Sequence, residues 1–314
     1  MRNSLFRFLN ILYSTPMKKT TLSIFVLLLF VLDGFAQQTK SKIIAKDATL
    51  SKLSGEYAFT EGPAADAEGN VFFTDQPNDK IYKWSVADNK ISLYMDKTNR
   101  SNGLYFDRAG NLLSCADLEN QLISIDKNQK ITVLVNDFEG KKFNGPNDLW
   151  VAPNGGIYFT DPFYKRPYWK HTEMELPEKR VYYLSPDKKT VTIAAREFVA
   201  PNGIIGTPDG KTLYVADIGD KKTYSFKINA DGTLSDRKLF TQLGSDGMTI
   251  DRKGNVYLTG RGVTVFDKNG VQIEQIDVKE PWTANVTFGG KDRKTLFITA
   301  SKSVYTLKMK VKGV

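Results

Sequence analysis

One cysteine and one histidine occur in the 314 residues of this chain. With Cys115 alone there is no internal disulfide, so the fold must stand on its hydrophobic core. Cys115 lies in the apolar run "NLLSCADL", where a buried structural thiol is expected rather than a nucleophile. His171 alone cannot sustain the usual serine-hydrolase arrangement, and its polar, irregular surroundings read as surface. Sustained helical periodicity is missing outside the N-terminal leader. Lys and Arg outnumber Asp and Glu by 44 to 35, a formal charge of +9, but they are scattered. No basic stripe with interleaved aromatics appears, so nucleic acid is not an expected partner.

Long hydrophobic runs are scarce too. Leu22–Leu32 is too short to span a bilayer. Lys18 and Lys19 precede it and Gly34-Phe35-Ala36 follow, which is the pattern of a secretory signal cut after Ala36. Residues 1–36 are therefore read as a signal peptide, with 1–16, ahead of Met17, as a candidate upstream extension. No cysteine follows the run, so a lipid anchor is not expected. The remainder, 37–314, is expected to be one domain, periplasmic or secreted, with no membrane association after cleavage.

What the chain does contain is a repeat. The segments "EGPAADAEGNVFFTD", "NGLYFDRAGNLLSCAD", "NDLWVAPNGGIYFTD", "NGIIGTPDGKTLYVAD", "DGMTIDRKGNVYLTG" and "NVTFGGKDRKTLFITA" share one pattern. Each is a short apolar strand, a Gly- or Asp-containing turn, and a second strand; a third, Tyr/Ile/Val-rich strand follows. They begin at Glu61, Asn102, Asn147, Asn202, Asp246 and Asn285, roughly 40 to 55 residues apart. Six strand-patterned copies predict an all-β, six-bladed propeller. The last copy lacks a fourth strand, and Ala48–Gly55 has the phase to supply it. That segment is expected to close the ring on the final blade, removing two sheet edges.

The six first residues fall where the chain enters the innermost strand, which in a propeller lines the central channel. They are expected to form a ring of carboxylates and amides at one mouth. Such an oxygen-rich set, without thiolate or imidazole, suits a hard divalent cation: Ca²⁺ first, then Mg²⁺ or Mn²⁺, with Zn²⁺ less favoured. The competing reading is turn chemistry, because Asn-Gly and Asp-Gly are common turn dipeptides and three copies carry one here. Turn chemistry does not account for Glu61, nor for a polar residue preceding the channel strand in every copy.

At "EGPA", "PNDLWVAPNGGIYFTDP", "PNGIIGTPDGKTLYVAD", "SDGMTIDRKGNVYLTG" and "ANVTFGGKDRKTLFITA" the chain resembles the SMP-30/gluconolactonase/luciferin-regenerating-enzyme-like family over about residues 50–310. The resemblance implies a six-bladed propeller with one divalent cation in the channel and hydrolysis of lactones, sugar lactones above all. It implies Glu61, Asn202 and Asp246 as metal ligands, Asn147 as a metal or substrate contact, and Asp246 as the proton-transfer residue. Two departures stand out: the family's "PDG" is "SDG" at Ser245, and an Arg of animal relatives is replaced by Gly145.

The third copy is the longest, its excess lying in "PFYKRPYWKHTEMELPEKR" from Pro162 to Arg180. This loop between the second and third strands belongs to the face of the ring. Its Tyr164, Arg166 and Trp169 are expected, with Asn102, Asn147 and Asp148, to contact substrate. Asp75, Asp117, Asp161 and Asp217 end the second strands toward the same face, as turn-capping or supporting groups. The expected function is an exported metal-dependent hydrolase acting on a small-molecule lactone or sugar-acid ester. Carbonyl polarisation or water activation would come from the cation and proton transfer from Asp246. The alternatives are a non-catalytic sugar- or partner-binding propeller, or a hydrolase of other esters or organophosphates. A monomer or small homo-oligomer is expected.

Overall fold

A computed structural model describes residues 41–314. The signal peptide and the candidate upstream extension lie outside the described residues. Six four-stranded antiparallel sheets follow one another along the chain, five of them running outward from a central channel in sequence order and the sixth taking its outermost strand from the N-terminal side. Their inner strands are Thr60–Ala65, Ser101–Phe106, Leu149–Val151, Pro201–Gly206, Met248–Ile250 and Thr283–Gly289. The architecture is the six-bladed propeller that the repeat predicts. Among the described residues the only helix is a single 3₁₀ turn, Gln76–Asn78.

The sequence pattern of each blade follows from its depth. Second strands such as Val71–Asp75, Leu112–Ala116 and Ile157–Asp161 are buried along their whole length, because blades pack on both of their faces. They therefore read as continuous apolar runs rather than alternating ones. Outermost strands such as Lys90–Asp96 and Gln272–Ile276 are largely open to water and carry the charge. Between blades, Phe73, Phe159, Tyr182, Tyr257 and Phe297 are fully buried. Each aromatic ring of this size contributes on the order of 2–3 kcal/mol by burial.

Ring closure comes from both chain ends. Ser51–Ser54 pairs antiparallel with Ser303–Lys308, with Ser51 opposite Thr306, and completes the sixth blade. Upstream, Ile44 bridges Met309, and the Lys310 backbone N–H donates to the Ile43 carbonyl at 2.7 Å. Neither end of the described chain leaves a long unpaired edge at the join.

The innermost strands are irregular at one level. The pairing register shifts between Glu61 and Ala64, between Ser101 and Leu104, between Pro201 and Ile204, and between Thr283 and Asn285. In the third and fifth blades the ladder begins only at Leu149 and Met248, just past Asn147 and Asp246. Every blade thus loses regular pairing at its ring residue. An irregularity of this kind re-aims a side chain that would otherwise point into a sheet face.

Gly after the ring residue has a physical role that is not a turn. A Cβ on Gly103 would lie 2.5 Å from the Asn147 carbonyl oxygen, and one on Gly62 only 2.0 Å from that of Asn102. The Gly103 N–H donates to the Asn147 carbonyl at 2.9 Å. Neighbouring inner strands touch backbone to backbone here, so the dipeptides mark close approach around the channel. True turn chemistry sits elsewhere: Asp66 takes the Asn70 backbone N–H and side-chain amide, both at 2.8 Å, and Asp251 treats Asn255 the same way.

Candidate active site at the channel mouth

Five of the six ring residues, Glu61, Asn102, Asn147, Asn202 and Asp246, line a cavity of about 390 Å³ at one mouth of the channel. The sixth, Asn285, does not line it but lies behind, its side chain within reach of both Glu61 and Asp148. Its side-chain N–H faces the Asp148 carboxylate at 3.4 Å, and its Oδ1 accepts the Val286 N–H at 2.8 Å. Asp148 is buried behind the ring and also accepts the Leu149 N–H at 2.9 Å.

The hydrogen bonds orient the ring. Asn202 Nδ2 donates to Asp246 Oδ1 at 2.8 Å and to the Tyr164 hydroxyl at 3.1 Å. Asn202 Oδ1 and Asn102 Oδ1 are each buried without a donor. Trp282 Nε1 holds the other Asp246 oxygen at 2.6 Å. Buried acceptors without donors are costly, and a cation in the ring would satisfy these two.

Electrostatics agree with the hydrogen bonds. Burial, then the neighbouring Asp246 charge, pushes the Glu61 carboxyl well above the usual range. Burial raises Asp246 to about 6 against the opposing hydrogen bonds of Trp282 and Asn202. Asp148 is pushed to about 8 by burial. Among the described residues no three His, Cys, Asp or Glu side chains are grouped for metal binding. What the ring offers is two carboxylates with amide oxygens between them. Glu61, Asn147, Asn202 and Asp246 make an all-oxygen donor set that fits one hard divalent cation.

The long loop of the third blade is fastened across the second blade by Asp117. One oxygen of that buried carboxylate accepts from Gln76 Nε2 at 2.9 Å, from Arg166 Nε at 2.8 Å and from the Tyr168 hydroxyl. Its backbone carbonyl accepts Trp169 Nε1 at 2.6 Å, and the Arg100 guanidinium stacks 4.1 Å above the Tyr168 ring. Trp169 in turn rests on Gly145, where φ is 137° and a Cβ would sit 2.9 Å from the indole. A side chain at Gly145 would displace that ring, which explains the glycine. The equivalent Asp75, Asp161 and Asp217 instead accept the backbone N–H groups of Ala58 and Phe59, Asn144 and Gly145, and Val199 and Ala200.

The structure thus brings Glu61, Asn102, Asn147, Asn202, Asp246, Tyr164 and Arg166 to one cavity. Two residues expected to touch substrate lie off its wall: Asp148 beneath the ring, and Trp169 buried within the loop with His171 stacked on it. Phe59, Gln76, Pro77, Ile218 and Trp282 complete the wall without having been foreseen. The two aromatics stand two and three residues before Glu61 and Asn285, in loops that lead into the inner strands. An aromatic shortly before a ring position was the available signal.

The sequence model of the SMP-30/Gluconolactonase/LRE-like region matches residues 59–302. A gluconolactonase structure from Xanthomonas campestris superposes with a TM-score of 0.79 at 30% identity, covering 85% of this chain and 91% of that one. The gluconolactonase of Zymomonas mobilis is 26% identical over 63% of this chain and 60% of its own length. The lactonase drp35 of Staphylococcus haemolyticus is 27% identical over 58% of this chain and 54% of its own. The match therefore spans less than two thirds of these curated relatives.

Proposed function

The chain belongs to the SMP-30/gluconolactonase/LRE-like family, and from that premise we propose that it hydrolyses sugar lactones at the channel mouth. One divalent cation would be held there by Glu61, Asn147, Asn202 and Asp246. The supporting observation is the buried, donorless Asn202 Oδ1 beside two buried carboxylates, with Arg166 the one cationic side chain on the cavity wall. When bound, the cation supplies Lewis acidity toward a carbonyl and a counter-charge to the ring. On oxygen chemistry Ca²⁺ is favoured, with Mg²⁺, Mn²⁺ and Zn²⁺ as alternatives.

The remaining chemistry belongs to side chains. Asp246 is fixed at both oxygens by Trp282 and Asn202, so its remaining lone pairs face the cavity. It takes a proton from the attacking water and returns it to the ring oxygen as the acyl–oxygen bond breaks. Phe59, Tyr164 and Trp282 give the lactone an apolar wall, and Asn102 and Asn147 supply polar contacts. A carboxylate base of this strength suits an activated ester and not an amide. Export through the leader, with cleavage after Ala36, is part of the same proposal.

Acid release from a panel of aldonolactones with Ca²⁺, Mg²⁺, Mn²⁺ or Zn²⁺ tests this reading. We expect metal-dependent turnover that Asp246→Ala abolishes. Absence of such turnover across the panel would overturn the hydrolase reading in favour of a sugar- or partner-binding propeller. Sequencing the N-terminus of the exported protein checks the cut.

A further inference from the structure

Arg166 is the one cationic residue among the described residues that line the cavity. Its neighbour Lys165 is exposed and off the wall. The Arg166 Nε is committed to Asp117, while Nη1 and Nη2 have no hydrogen-bond partner among the described residues. Its side chain is 25% exposed, toward the cavity it lines. Asp117 is itself held by Gln76 and Tyr168, and the Tyr164 ring lies 5.9 Å from the guanidinium. The plane of the guanidinium is therefore set before any ligand arrives.

Blades follow sequence order around the ring, so the second blade, which carries Asp117, lies across the mouth from the fifth, which carries Asp246. Tied to Asp117, Arg166 is thus held on the second-blade side of the mouth. With Nε engaged, four N–H groups remain, and one from each Nη forms the terminal edge, a pair pointing the same way. That edge matches the two oxygens of a carboxylate; a single hydroxyl would use half of it.

We propose that Arg166, set in place by Asp117, selects lactones that carry a carboxylate remote from the ring carbonyl. The favoured class is then the monolactone of a sugar diacid or a comparable anionic lactone. The inference rests on the lactonase reading and narrows it. Asp117 is a positioning residue here, acting through Arg166.

The γ-lactones of D-gluconate and D-glucarate share a ring and differ in a terminal hydroxymethyl or carboxylate group. Their kcat/KM values should be compared in wild type, Arg166→Gln, Arg166→Lys and Asp117→Asn, each checked for native circular dichroism. We expect wild type to favour the glucarate lactone by about tenfold or more, and Arg166→Gln to lower that ratio by about tenfold, chiefly through KM. Arg166→Lys keeps charge without the fork and should fall between. Asp117→Asn should lower the ratio less than Arg166→Gln and flatten its salt dependence. A wild-type ratio at or below one, or a ratio that Arg166→Gln leaves unmoved, overturns the inference while the lactonase reading stands. If wild type cleaves neither lactone, nor any of the aldonolactone panel, both fall.

Discussion

At one end of the channel, polar side chains from five blades face a cavity of about 390 Å³. Behind the ring the same inner strands enclose about 120 Å³, lined by apolar side chains such as Ala64, Leu104, Ile204 and Met248 together with Asp148 and Asn285 from the ring side. The strands, their origin and their direction are shared; the pairing is not. Past the ring the antiparallel register is regular, and side chains fill the space between strands. At the ring the register breaks, a glycine lets neighbouring backbones touch, and buried amide oxygens are left without donors. The proposed site lies where regular sheet geometry is given up, and the regular ladders beyond it carry the packing.

The sharpest way to test that division is at the ring itself. Glu61→Gln and Asp246→Ala should each lower lactone turnover by about 10²–10⁴-fold and reduce bound metal, with thermal stability in chelator close to wild type. Elemental analysis of the double variant checks the metal; full retention would mean a different ligand set. Behind the ring the expectation inverts. Leu104→Ala removes a 3% exposed side chain and should cost about 2–5 kcal/mol in denaturant unfolding, with kcat/KM held within about threefold. Gly103→Ala sits between the two regions, its Cβ 2.5 Å from the Asn147 carbonyl and 2.7 Å from Asp148. It should cost about 1–3 kcal/mol and also weaken metal binding, since Asn147 must shift. Metal titration separates it from Leu104→Ala.

The smallest expected effect is on pH. In metal-free protein, burial raises Asp246 to about 6, against about 3.9 unfolded. A raised carboxyl favours folding while protonated in the native state. That contribution is complete below about pH 4 and is lost as pH rises through about 6. Metal binding runs the other way, because protons compete for the same oxygens, so affinity weakens as pH falls through about 6. Melting temperatures with chelator should drop between pH 5 and pH 8, and those with saturating metal should not. Parallel curves would show that the cation does not sit on Asp246.

Four aspartates illustrate how far residues alone can be read. Asp75, Asp117, Asp161 and Asp217 share one place in the repeat, and capping of the incoming loop describes three of them. Asp117 differs because Arg166, Tyr168 and Gln76 reach it from other parts of the chain. Nothing within its own copy marks that difference. Trp169 is a similar case. An aromatic in a long loop invites a stacking role, yet the indole is used against Gly145 and the Asp117 carbonyl. In the ring, Asn285 has the phase of its sisters but stays off the cavity wall, where its side chain meets Asp148 and Glu61 from behind.

The repeat by itself determined the six blades, their strand order, the closing segment and the level at which polar residues gather, because these depend on period and apolar pattern along the chain. Only the tertiary structure decided which ring members face the cavity, that the glycines mark backbone contact rather than turns, and that Arg166 presents one free edge. Those properties arise where residues far apart in sequence compete for the same hydrogen bonds and the same space, and local pattern carries no record of that competition.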